Sequence, residues 1–109
     1  PFEAVAAAVR AARPGLAVRL AFLEFMAPTL PEAGHELAAA GCTQLTVLPM
    51  FLGAGGHVRK DLPLLLDELR AAHPGLVVSR QPAIGEIDSV VAAMAAAALA
   101  QLPAGGGSP

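Results

Sequence analysis

Glu24 and His57 are the two residues of this 109-residue chain whose chemistry and placement point to a site. Glu24 follows an apolar run, residues 16–23, broken only by Arg19, which reads as a β-strand. His57 follows a second apolar run, residues 45–51, across a loop that carries Gly53, Gly55 and Gly56. In an open parallel sheet, ligands bind beyond the carboxyl ends of the strands, and both residues map there. A carboxylate and an imidazole together suit Co²⁺, Ni²⁺, Fe²⁺ or Zn²⁺. They suit proton transfer near neutral pH equally well. Simpler roles stay open for each: Glu24 as a solvated strand end or a cap for the following chain, His57 as a loop histidine or an N-cap-like group before Val58.

The glycines around His57 remove side chains and permit positive φ, so a flat or bulky ligand could approach the backbone. A glycine-rich strand-to-helix turn can also hold phosphate. This one lacks the lysine and Ser/Thr of a P-loop and is not G-x-G-x-x-G. Arg59 and Lys60 come directly after the histidine, where they could meet ligand carboxylates or simply form a solvated first turn. His35 falls within a helix and reads as exposed and structural. His73 sits at a helix end, where it can interact with the C-terminal dipole. Cys42 reads as a small, partly buried residue. Met50 and Phe51 could wall the loop, although core packing is their ordinary use.

The elements that must position these residues alternate. Phe2, Val5, Ala6 and Val9 lie on one face of a helix that Pro14-Gly15 ends. Thr29 followed by Glu32 matches a capping box, opening a helix that turns Leu30, Ala33 and Leu37 inward and stops at Gly41. The strand over residues 45–51 is apolar enough to be buried on both faces, and Pro49 marks the place where its pairing ends. Leu62, Leu65, Leu66 and Leu69 form the strongest helical stripe, with Pro63 tolerable only near the helix start. A third strand begins at Leu76 to Val78, and Ile87, Val90, Val91, Met94 and Ala98 define a last helix. Residues 10–18 (RAARPGLAV) repeat as 70–78 (RAAHPGLVV), two similar helix–turn–strand joints. The expected fold is therefore α/β, a parallel doubly wound sheet with flanking helices, in one domain over residues 1–102. Residues 103–109 read as a flexible Gly/Pro/Ser tail or linker.

Composition narrows the function. A net charge of −2 and the lack of any basic block argue against nucleic-acid binding. The lone Cys42 excludes an internal disulfide and a cysteine-based zinc cluster, and a reducing cytoplasm is the default location. No unbroken run of about 18 strongly apolar residues is present, so no membrane span is expected. The chain opens on Pro1, and the expectation is a start inside a longer reading frame or after a processed segment.

Residues 21–24 (AFLE), 28–30 (PTL), 47–63 (VLPMFLGAGGHVRKDLP) and 81–85 (QPAIG) resemble the sirohydrochlorin chelatases, the small class II chelatases that insert cobalt or iron. The resemblance covers nearly everything before the tail, and residues 48–63 are its specific part. It implies a cytoplasmic, ATP-independent lyase of tetrapyrrole biosynthesis, in the cobalamin or sirohaem branch. It implies no organic cofactor, and Co²⁺, Fe²⁺ or Ni²⁺ as the inserted metal. His57 would be the metal-binding and proton-accepting residue and Glu24 the accompanying acid. Gly55, Gly56, Arg59 and Lys60 would lie against the carboxylate-rich tetrapyrrole.

The chain departs from that family at its start. Members of the family open with a strand and a His-Gly-Ser-type loop whose histidine is a principal catalytic residue, and no such segment occurs here. That strand is central in the family's sheet, so its absence would leave its neighbours unpaired. The expectation is that it lies upstream in the parent protein, or that another chain compensates. Small members act as homodimers, which makes association with a second copy or another domain the expected state. A non-catalytic metal- or tetrapyrrole-binding module, or an inactive structural fragment, is the alternative.

Overall fold

The computed structural model describes residues 1–23, 25–53 and 55–104, with the backbone but not the side chain of His57. The tail expected over residues 103–109 falls largely outside them. The elements run α1 (Phe2–Ala12), α2 (Leu30–Ala39), β1 (Gln44–Val47), α3 (Gly56–Ala72), β2 (Val77–Arg80), a 3₁₀ turn (Ile84–Glu86) and α4 (Asp88–Ala100). β1 and β2 pair in parallel, Gln44 opposite Val77 through Val47 opposite Arg80, and α3 is the crossover between them. The α/β class and the parallel sheet stand as expected.

The core rests on α3. Leu62, Leu66 and Leu69 recur at i, i+4, i+7 and are buried, together with Leu76 and Val78 from the β2 side. Burying a leucine fully contributes about 2 kcal/mol. Leu23, Leu30, Ala38, Leu45, Val47 and Val58 pack around that cluster, partly buried. α2 crosses α3 closely because Gly34 has no side chain: a Cβ there would lie 2.6 Å from the Leu69 methyls. The capping box of α2 forms as expected. Thr29 Oγ1 accepts from the Glu32 amide at 3.2 Å, and the Thr29 amide donates to Glu32 Oε1 at 3.1 Å. Gly41 follows the helix with φ of 100°, the conformation glycine takes most readily.

Three expectations need correction. Residues 16–23 do not form a strand: Phe22 alone bridges, to Thr29. The run is apolar enough, but a strand needs a neighbour to pair with, and no described strand lies alongside. β1 ends at Val47 instead of Phe51, because Pro49 offers no amide to a ladder. Pro63 lies inside α3, not at its start. It withdraws the donor that would reach the Arg59 carbonyl, and the leucine stripe on the core face keeps the helix continuous.

The repeated sequence produces a repeated joint. Arg10 Nη2 donates to the Val18 carbonyl at 2.7 Å, and Arg70 Nη2 donates to the Val78 carbonyl at 3.0 Å. The helices end alike, at Arg13 (φ −137°, ψ 80°) and His73 (φ −132°, ψ 78°). Residues 16–18 thus leave α1 as residues 76–78 leave α3, but only the second copy meets a partner strand. α1 and α4 are poorly covered. Phe2, Val5, Val9, Val91, Met94 and Leu99 are exposed, and no residue of α4 is buried. The radius of gyration is 17.2 Å, against about 13 Å for a compact chain of this length. Among the described residues, no helix is long and apolar enough to cross a membrane.

Candidate functional site

Beyond Val47 the chain leaves the ladder but stays tied to the segment after β2. The Val47 carbonyl accepts from the Gln81 amide, that of Pro49 from Ile84, both at 2.9 Å, and that of Phe51 from Gly85 at 3.0 Å. Gly85 allows this approach. A Cβ built on it would lie 2.1 Å from the Leu52 carbonyl oxygen and 2.4 Å from the Leu52 Cα. In the sequence Gly85 stands out only as the end of the QPAIG stretch. Its role shows only when the loop at Leu52 is seen against it, and the one sequence signal is that 81–85 and 48–63 belong to the same resemblance. The entry to the glycine-rich turn is thereby fixed.

α3 then begins at Gly56 with Gly55 as N-cap, and no side chain caps it. His57 is therefore the second residue of a helix, not the end of a loop. The local reason is that Gly55 is extended (φ −73°, ψ 169°) and its carbonyl accepts from the Arg59 amide at 3.0 Å, closing the first turn around the histidine. The positive φ that glycine permits is not used at Gly53, Gly55 or Gly56; the described glycine with positive φ is Gly41. No described atom outside the adjoining residues lies within 4 Å of a Cβ built on Gly53, Gly55 or Gly56. Packing against the described residues does not require glycine at these positions. Arg59 and Lys60 are exposed, and the first turn of α3 holds no acidic residue. The uncapped amides of a helix start, its positive dipole end and two cationic side chains make this corner suited to anionic groups.

Glu24, Ala54 and the side chain of His57 lie outside the described residues. The flanks of Glu24 are well defined. Leu23 packs on the core, and the Phe22 amide donates to the Pro28 carbonyl at 2.9 Å. Phe25 has φ of 61° and is 99% exposed. A positive φ is uncommon for an aromatic residue, and an exposed ring beside the candidate acid escapes a reading based on apolar periodicity. Leu23 and Val58, the chain neighbours of Glu24 and His57, rest against one hydrophobic cluster. Among the described residues, no group of three or more His, Cys, Asp or Glu could hold a metal ion.

A family model described as CbiX matches residues 1–100. The chain belongs to the CbiX family. A sirohydrochlorin cobaltochelatase of Saccharolobus solfataricus is 45% identical over 62 residues, 53% of this chain and 48% of that protein. A sirohydrochlorin cobaltochelatase of Sulfurisphaera tokodaii is 36% identical over 53 residues, 49% and 44% of the two chains. The matched stretch spans about half the length of these curated relatives. The crystal structure of a CbiX protein from Marinobacter aquaeolei VT8 superposes with a TM-score of 0.73 at 26% identity, over 92% of this chain and 83% of that one. The family match over residues 1–100 runs through the poorly covered α4.

Proposed function

We propose that this chain is the metal-inserting part of a sirohydrochlorin chelatase, with Co²⁺ as the metal and a carboxylate-rich tetrapyrrole as the acceptor. The observation that carries this reading is the start of α3, where the described residues leave Gly55 and Gly56 uncrowded and glycine backbone leads into the histidine turn. The names of the curated relatives support cobalt and sirohydrochlorin. Fe²⁺ and Ni²⁺ are accepted by the same donor types and belong to the proposal as alternative substrate metals.

Insertion replaces two pyrrole N–H protons by one M²⁺, so two protons must leave as four ring nitrogens take the metal. His57 holds the metal through a neutral imidazole and accepts a proton as the metal departs, and Glu24 assists as a second ligand and acid–base group. Few protein ligands suit this task, because a closed set would keep the metal. Gly55 and Gly56 let the macrocycle approach, while Arg59 and Lys60 meet its peripheral carboxylates. The setting we propose is the cytoplasm, with a homodimer or a further domain covering the exposed faces of α1 and α4.

The test is insertion of Co²⁺ into sirohydrochlorin, followed by the absorbance change of the macrocycle. His57→Ala should remove most of the activity, and an undiminished rate in that variant would overturn the assignment. A second reading is binding without insertion. It is favoured by residues 16–23, which make a single bridge and no strand ahead of the candidate acid. Measuring Co²⁺ and tetrapyrrole binding separately from insertion distinguishes the two.

A further inference from the structure

His35 and His73 come from distant points in the sequence and meet ring to ring. His35 follows Gly34 in α2, and His73 is the C-cap of α3. The Gly34–Leu69 approach draws the two helices together next to this point. The rings cross at 60° with centroids 4.6 Å apart, and His35 Nδ1 faces His73 Nε2. His35 is exposed and His73 half-buried. His73 also lines a recess of about 400 Å³ with Cys42, Thr43 and Leu76. The two rings are thus open to water and able to separate slightly.

We infer that His35 and His73 form a second divalent-metal site, one that takes a borderline cation such as Co²⁺, Ni²⁺ or Zn²⁺. Two neutral imidazoles whose nitrogens face each other can share a proton, or they can direct both lone pairs at one cation. In the second case the shared proton shifts to the far nitrogen of its own ring, and each imidazole supplies one ligand. Imidazole pairs select this class of metal over Mg²⁺ or Ca²⁺. Among the described residues no third His, Cys, Asp or Glu completes the set, so water fills the other positions and binding is reversible. The site is not the candidate insertion site. His73 lies sixteen positions after His57 along α3 and its C-cap, about 24 Å along a helix axis. Metal bound here would clamp α2 to α3.

The chain has three histidines, so His57→Ala leaves this pair alone. Thermal unfolding of that variant should shift upward on adding Co²⁺ or Zn²⁺, by on the order of 5 °C at tenfold excess over the dissociation constant. Adding His35→Gln or His73→Gln should abolish the shift. In the unaltered chain, paramagnetic Co²⁺ should broaden the imidazole resonances of both His35 and His73, a readout that does not require the variants to fold. No shift in the His57→Ala chain, an equal shift after His35→Gln, or sharp resonances from both rings would each overturn the site.

Discussion

The backbone of Leu52 lies so close to Gly85 that a Cβ on Gly85 would come within 2.1 Å of the Leu52 carbonyl oxygen. Backbone cannot give way as a side-chain tip can. Gly85→Ala should therefore cost roughly 2–3 kcal/mol, measured as a lower urea midpoint with an unchanged slope. Because the contact fixes the entry to the turn before His57, metal insertion should fall with it. A Gly85→Ala protein as stable as the parent would remove this contact from the account of the site.

Gly56 is the opposite case. It opens α3, and no described atom outside the adjoining residues stands within 4 Å of a Cβ there. Gly56→Ala should leave stability unchanged or raise it, by at most about 1 kcal/mol from helix propensity. If the tetrapyrrole approaches this backbone, the same substitution should raise KM. Steady-state kinetics beside thermal unfolding separates the effects, and an unchanged KM would move the substrate elsewhere.

His57→Ala should lower kcat for Co²⁺ insertion by about 10²-fold or more, the usual scale for a lost proton acceptor. Arg59→Ala with Lys60→Ala should act mainly on KM, because the partners proposed for these residues are peripheral carboxylates and not the reacting nitrogens. The KM effect should shrink as salt rises, since exposed charges are screened. A kcat loss in the double variant with KM intact would put the two cations in the chemistry itself.

What could be read from the sequence follows from how local each cause is. The capping box at Thr29 and Glu32, the leucine stripe of α3 and the turn at Gly41 are set by residues within a turn or two, and all three form. Residues 16–23 carry strand chemistry too, but strand formation depends on a partner distant in the chain, and composition is silent on that. The start of α3 is hard to read from sequence for a related reason. Three glycines suggest a loop, whereas the extended Gly55 acts as N-cap and draws His57 into the first turn. The role of Gly85 is a contact across the sheet end, not a property of its own segment, so its sequence neighbours do not announce it.

Glu32 gives a pH prediction. The Thr29 backbone hydrogen bond, and then the Thr29 side chain, hold its carboxyl below the usual value of 4.5. A lowered folded-state value means the contribution is complete above about pH 4.5 and is lost as pH falls through that lower value. Glu32→Gln should therefore destabilise the protein at neutral pH and make little difference in strong acid. Unfolding midpoints of both proteins compared across the acid range check this, and parallel curves would show that the capping box adds no pH dependence.

Gly34 and Leu69 should be energetically coupled. A Cβ on Gly34 would lie 2.6 Å from both Leu69 methyl carbons, and Leu69 is the most deeply buried leucine of the core at 1% exposure. Leu69 therefore has little room to turn aside. Gly34→Ala alone should destabilise by about 1–3 kcal/mol, and Leu69→Ala alone by about 2–5 kcal/mol through the cavity it leaves. In the Leu69→Ala background the new methyl enters that cavity, and helix propensity favours alanine over glycine, so Gly34→Ala should become neutral or stabilising. A double-mutant cycle would then show coupling of more than about 1 kcal/mol. Additive effects would mean that α2 and α3 are not in contact at this crossing, and the meeting of His35 with His73 would lose its structural basis.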